Sequence, residues 1–253
     1  MKGSWLLYLL CGWLVVIAAC SSPKELTMTP EFKENNRSSA IDKRLSKDNL
    51  VRFLDYRAYK DTLISIRQQD STLNPGIILA GTSDIKINTE REMLFGNDSG
   101  KCIIHYHYLL TYHHTGRSAA LSIYNLFSKG SKQINQEPED KLAHVRATGS
   151  MQCAAFENVI SFSFEEDRIN EVNTCGKLVI GPDTFVLKPI NKKSLSVNLL
   201  TGVQLEKGSI VYAMLQHFPE DIFARNKLFI YTKAAAAEQL TIAAYFAIIS
   251  WYL

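Results

Sequence analysis

Between residues 48 and 69 apolar side chains recur at helical spacing: Leu50, Phe53, Leu54, Ala58 and Tyr59 fall on one stripe, and Leu63 and Ile66 extend it. Asp48 stands where an N-cap belongs, while Arg52, Arg57, Lys60 and Arg67 take the opposite side, so the pattern predicts an amphipathic helix over 48–69. The basic side reads first as a solvated face beside Asp55 and Asp61, and second as a dock for phospholipid head groups. From Asn74-Pro75-Gly76 onward the texture changes to short apolar runs separated by turn residues. These predict strands at 77–80, 84–88, 102–112, 119–126, 159–164, 178–180, 184–187, 194–200, 209–215 and 227–231. Gly181-Pro182-Asp183 reads as a hairpin turn, and the polar stretch 129–139, with Pro138, as a surface loop.

The C-terminal segment 234–253 carries one charge, Glu238, and from Leu240 to Leu253 there is none. Tyr245, Phe246, Ile248, Ile249 and Trp251 make it apolar on every side. The first reading is a helix packed into the core, since an uncharged run of this length is short for a membrane span. The second is a membrane contact with Trp251 and Tyr252 at the interface. A lipid-exchanged tail signal fits poorly, because the polar spacer after Ala234-Ala235-Ala236 is too short. The expected fold is therefore α+β: an antiparallel β-rich domain with an N-terminal amphipathic helix and a hydrophobic C-terminal helix.

The first twenty-two residues have a different character. Lys2 precedes an apolar run from Trp5 to Ile17, then come Ala18, Ala19, Cys20, Ser21 and Ser22, and the chain turns polar at once. That run is typical of a removable export signal. Ile17-Ala18-Ala19-Cys20 resembles the lipobox of bacterial lipoproteins. The resemblance covers only the leader. It implies cleavage before Cys20, a diacylglyceryl thioether on that cysteine and added acyl chains such as palmitate, which together anchor stably. In Gram-negative members of the class, Ser21 after the cysteine implies the outer membrane, on its periplasmic side. Residues 1–19 are then the signal, 20–47 a lipidated cysteine and flexible tether, and 48–253 one globular domain. The tether reading rests on Pro23, Pro30, Asn35-Asn36 and Ser38-Ser39, with few apolar residues between them.

Charge adds an exclusion. Removing Lys2 with the leader takes the formal +3 to +2, so nothing argues for nucleic acid. Of five cysteines, Cys102, Cys153 and Cys175 remain for an oxidising compartment. One disulfide and one thiol is the simplest outcome, and Cys153–Cys175 closes the shortest loop of the three pairings. His105 and His107 lie two apart on one predicted strand and share a face, which His113 joins if the strand persists. They are the candidate metal ligands, although aromatic-rich strands also carry histidine simply as a wet surface residue. Tyr106, Tyr108 and Tyr112 take a common face, read as core. No nucleophile elbow or phosphate-cradling glycine loop occurs, and no cofactor is expected. The expected role is a non-catalytic binding or assembly component, held to the membrane by its N-terminal lipid and meeting other envelope proteins. The alternatives are an envelope hydrolase or metal-binding protein using His105 and His107, or a lipid carrier.

Overall fold

From Lys101 to Tyr108 exposed and buried side chains alternate without a break, the signature of a strand with one wet and one dry face. That pattern governs nearly the whole chain. The computed structural model describes residues 26, 28–44, 50–70, 83–114, 141–168, 173–193, 198–217 and 225–251. After a short helix α1 (Pro30–Glu34) come strands β1 (Asn36–Ala40), β2 (Asp42–Arg44), β3 (Leu50–Phe53), β4 (Tyr56–Asp70), β5 (Ser83–Asn97) and β6 (Gly100–His114). They continue as β7 (Lys141–Cys153), β8 (Ile160–Asp167), β9 (Asn173–Ile180), β10 (Asp183–Lys193), β11 (Asn198–Lys207), β12 (Ile210–Gln216) and β13 (Lys227–Tyr231), followed by helix α2 (Ala236–Ile249).

Every strand from β2 to β13 pairs antiparallel with its sequence neighbour, and β13 returns to pair with β1. Only Ile41 separates β1 from β2, so Asn36–Arg44 is one passage whose first half meets β13 and whose second half meets β3. The sheet thereby curls into a nearly closed up-and-down barrel, an arrangement that removes most exposed edges. One edge survives. β3 pairs with β4 only at Arg52↔Arg57 and Phe53↔Tyr56, so the rest of β4 has no strand beside it on that side among the described residues.

α2 occupies the lumen. Leu240 to Ser250 are buried on all sides, and the helix meets β4, β5, β6, β7, β12 and β13, strands from around the wall. An apolar circumference suits that stretch, because no face of the helix from Leu240 onward meets water. Its polar atoms are tied to the wall. The Tyr108 hydroxyl donates to the Ile248 carbonyl at 2.7 Å, and the Tyr245 hydroxyl to the Ser163 carbonyl at 2.9 Å. Gly176 on β9 makes room for that tyrosine: a Cβ there would stand 2.3 Å from the Tyr245 hydroxyl oxygen. At the helix start the Glu238 carboxylate accepts from the Ala235 N–H at 3.3 Å, meeting one of the orphan donors of the first turn. At its end the Lys43 ammonium donates to the Ser250 carbonyl, placing a cation where the helix dipole is negative. Asp61, itself buried, accepts from Arg91 Nε at 3.0 Å and from the Tyr106 hydroxyl at 2.8 Å.

Burial of Lys43 lowers its pKa from 10.5 to about 8, while burial raises Tyr106 and Tyr245 above the ordinary 10.0. The signs fix a pH profile. Between pH 8 and 10.5 the unfolded chain holds a proton that folded Lys43 has released, so stability rises with pH there. Above pH 10.0 the unfolded chain loses tyrosine protons that the folded state keeps, so stability falls. Denaturant midpoints measured from pH 7 to 11 are expected to peak at about pH 9 to 10.

Three expectations are corrected. The helix expected over 48–69 is absent from its described part, 50–69: β3, a turn at Leu54-Asp55 and β4 stand there, with Val51, Phe53, Tyr56, Ala58 and Asp61 directed inward. The stretch 30–44, read as tether, folds into α1, β1 and β2, and Leu26, Met28 and Phe32 cover Met214, Phe229 and Tyr231 on the outer wall. The disulfide joins Cys102 to Cys153, not Cys153 to Cys175. The pair faces itself in the β6–β7 register, and Cys175 is a free thiol. The strands expected at 77–80 and 119–126 lie outside the described residues.

Candidate functional site

The barrel has two unlike ends. At the entry end, where α2 begins, stand the turns Leu54-Asp55, Asp98-Ser99, Gly181-Pro182 and Gly208-Ser209. Asn97-Asp98-Ser99-Gly100 explains itself locally: the Asn97 side-chain oxygen accepts from the N–H groups of Ser99 and Gly100, both at 3.0 Å, closing a tight turn. Around the first turn of α2 the first two of these turns, with Ala154-Ala155 after β7, leave a cleft of about 790 Å³. Its polar lining is held as a network. Arg37 donates to the Tyr56 hydroxyl at 2.7 Å and pairs with Asp55 at 2.9 Å, and Asn97 Nδ2 donates to the other Asp55 oxygen at 2.7 Å. Burial raises the Tyr56 pKa, against the pull of the Arg37 charge. The cleft thus offers oriented donors and acceptors beside Ala155, Ala236 and Leu240. Its carboxylate and guanidinium are engaged with each other, which suits recognition of a polar surface better than acid–base chemistry.

A smaller hollow of about 340 Å³ lies on the outer wall across β7 to β10, lined by Arg146, Glu165, Cys175 and Lys177 among others. His144 Nε2 lies 2.9 Å from Glu165 Oε1, and Glu165 faces Cys175 in the strand register. This row has a thiol, a carboxylate and an imidazole in the wrong order for nucleophilic catalysis. Burial and the Glu165 charge push the Cys175 thiol up, so the carboxylate works against a thiolate. The barrel carries Cys153 and His144 on the same strand, with the cysteine bound in its disulfide.

The structure places His105 and His107 together on the exposed outer face of β6. His105 Nδ1 is 3.5 Å from Glu92 Oε2, and both side chains are about half exposed, at 55% and 47%. His113 belongs to β6 by its backbone, but its side chain lies outside the described residues. Among the described residues no three of His, Cys, Asp and Glu converge on a metal position. The tyrosines of the same strand point the other way: Tyr106 and Tyr108 are buried in the wall's inner face and Tyr112 is half-buried.

Sequence reasoning missed the cleft because its members come from β1, three hairpins and the start of α2, which nothing in a linear pattern brings together. The signal that could have pointed to part of it, the turn chemistry of Asn97-Asp98-Ser99-Gly100, was not read as a turn. No family model, no curated protein and no solved structure matches this chain.

Proposed function

We propose that this protein is a cell-envelope lipoprotein, anchored by acyl chains on Cys20, that acts as a non-catalytic binding or assembly component. The observation that carries the reading is the leader: one cation, an apolar run to Ile17, then Ala18-Ala19-Cys20 and an abrupt polar turn. The Cys102–Cys153 disulfide supports export, since such bonds persist in oxidising compartments. In a Gram-negative host Ser21 directs it to the outer membrane, facing the periplasm.

The barrel gives this role a form. Leu26 packs against Gly202, which pairs with Gln216 at the last step of β12, so the tether leaves the wall near the end where α2 finishes. The entry-end cleft then faces away from the membrane, toward other envelope proteins. In this reading the hydrophobic C-terminal segment belongs to the globular domain, which is α+β by virtue of that one central helix. A lipid carrier would need the lumen volume that α2 fills.

Cys20→Ala tests the anchor. The parent chain is expected to incorporate labelled palmitate and to sediment with membranes, and Cys20→Ala to lose the label. Equal labelling of both would overturn the reading.

A further inference from the structure

At the entry end the outer wall gathers positive charge. Arg52 on β3 stands directly across from Arg57 on β4, Arg57 across from Gly96 on β5, and Gly96 across from Lys101 on β6. Residues opposite one another on paired strands share a face, and all three cations are exposed. Arg52, Arg57 and Lys101 therefore form one row on the outside of the barrel. Tyr59, at the first bulge of β4, joins it: the Arg57 guanidinium sits 4.6 Å from the centre of its ring and the Lys101 ammonium 4.7 Å. One step along the strands, exposed Lys60 pairs with Leu94, and Leu94 with Ile103. Leu94 is half-buried and Ile103 is 44% exposed, so an apolar strip lies beside the cations.

For the barrel alone this arrangement is unfavourable, because like charges set directly opposite on a sheet repel, as Arg52 and Arg57 do. The wall does not offset them. Among the described residues no carboxylate lies within ion-pair distance of Arg52, Arg57, Lys60 or Lys101. The Asp98 charge reaches Arg57 from the turn, beyond that distance. Elsewhere on the wall Lys188 pairs with Glu206 and Lys207 with Asp183. The whole chain carries a formal charge of only +3, so the row is a local feature and not the expression of a basic protein. A partner that brings carboxylates and an apolar side chain meets both parts. Lys101 also lines the entry-end cleft, which makes patch and cleft one continuous surface. With the tether leaving near the other end, that surface faces away from the lipid, which favours a protein carboxylate over an anionic head group.

We propose that the row Arg52, Arg57 and Lys101, with Leu94 and Ile103 beside it, is the docking surface for an acidic segment of a protein partner. Its carboxylates meet the cations while an apolar side chain packs on Leu94 and Ile103. This rests on the anchored binding-component reading and names the chemistry of the partner. Arginine and tyrosine are also the side chains that most often carry interface energy.

A fluorescent Glu-Glu-Phe-Glu-Glu-Phe-Glu-Glu peptide is titrated with the full chain in neutral detergent at low salt, beside the same peptide with glutamine for glutamate. The glutamate peptide is expected to bind about tenfold more tightly, and the combined Arg52→Gln, Arg57→Gln and Lys101→Gln variant to lose that preference. Lys177→Gln with Lys188→Gln, on β9 and β10, is expected to keep it. Urea midpoints show that the variants fold, and Arg52→Gln alone is expected not to lower the midpoint, because it removes a repulsion. A lowered midpoint would mean that the barrel itself holds Arg52, and would overturn the proposal. Equal binding of the two peptides, or a preference that survives the triple variant, would overturn it as well. So would capture of the Cys20→Ala chain by phosphatidylglycerol vesicles through the same three cations without peptide binding, which would make an anionic lipid the occupant. Palmitate labelling of Cys20 does not depend on the patch, so a failed titration removes this partner and leaves the anchor standing.

Discussion

Phe246→Ala is expected to lower the unfolding free energy by about 3–5 kcal/mol, the usual loss for a fully buried aromatic. Phe246 is 0% exposed at the middle of α2 and packs edge-on to Tyr245, with ring centroids 5.8 Å apart. Around it the barrel wall is fixed by strand pairing almost the whole way round, so the wall cannot collapse onto the space left behind. That places the effect toward the upper part of the range. Urea unfolding of the parent and the variant, followed by far-ultraviolet circular dichroism, measures it. A loss below about 1 kcal/mol, the level of an exposed-site change, would mean the helix is not enclosed.

Replacing both cysteines, Cys102→Ala with Cys153→Ala, is expected to cost about 4 kcal/mol, from the chain entropy of a loop closed across a separation of 51 residues. Both side chains are buried, at 0% and 1%, and Cys153 Sγ lies 3.8 Å from the Thr241 hydroxyl, so the bond also sits against α2. Denaturant midpoints with and without reductant test it: the parent should fall to the level of the double variant on reduction, and the variant should not respond. An unchanged midpoint on full reduction would contradict the pairing.

The legible parts of this fold were those where one strand keeps its phase. Lys101 to Tyr108 alternates cleanly, 227–231 is a short apolar run buried from Leu228 to Tyr231, and both regions were read as strands. Residues 48–69 misled for a physical reason. The turn at Leu54-Asp55 and bulges after Ala58 and Leu63 each reset the two-residue period, so inward Phe53 and Ala58 fall on one helical stripe with the half-buried Leu50, Leu54 and Tyr59. The pairing of Cys102 with Cys153 depends on β6 lying beside β7 across residues 115–140, a neighbourhood that loop length alone argued against. Phe32 and Ile41 were the two large apolar residues in the polar stretch 30–44, and Phe32 is the side chain that α1 buries against Tyr231, centroids 6.2 Å apart. The apolar circumference of 240–249 was plain in the sequence, whereas the wall that encloses it comes from strands spread over the whole chain. His105 and His107 share one face of their strand, and that face is the wet one.

The C-terminal helix is the core of the barrel and not an accessory attached to it. Ending the chain after Ala235 tests this most directly, because it removes α2 and leaves every strand intact. The truncated chain is expected to lose its cooperative urea transition and to expose the apolar inner wall, read as a large rise in binding of a hydrophobic dye. A truncated chain that unfolds in the same single transition at the parent's midpoint would contradict the account.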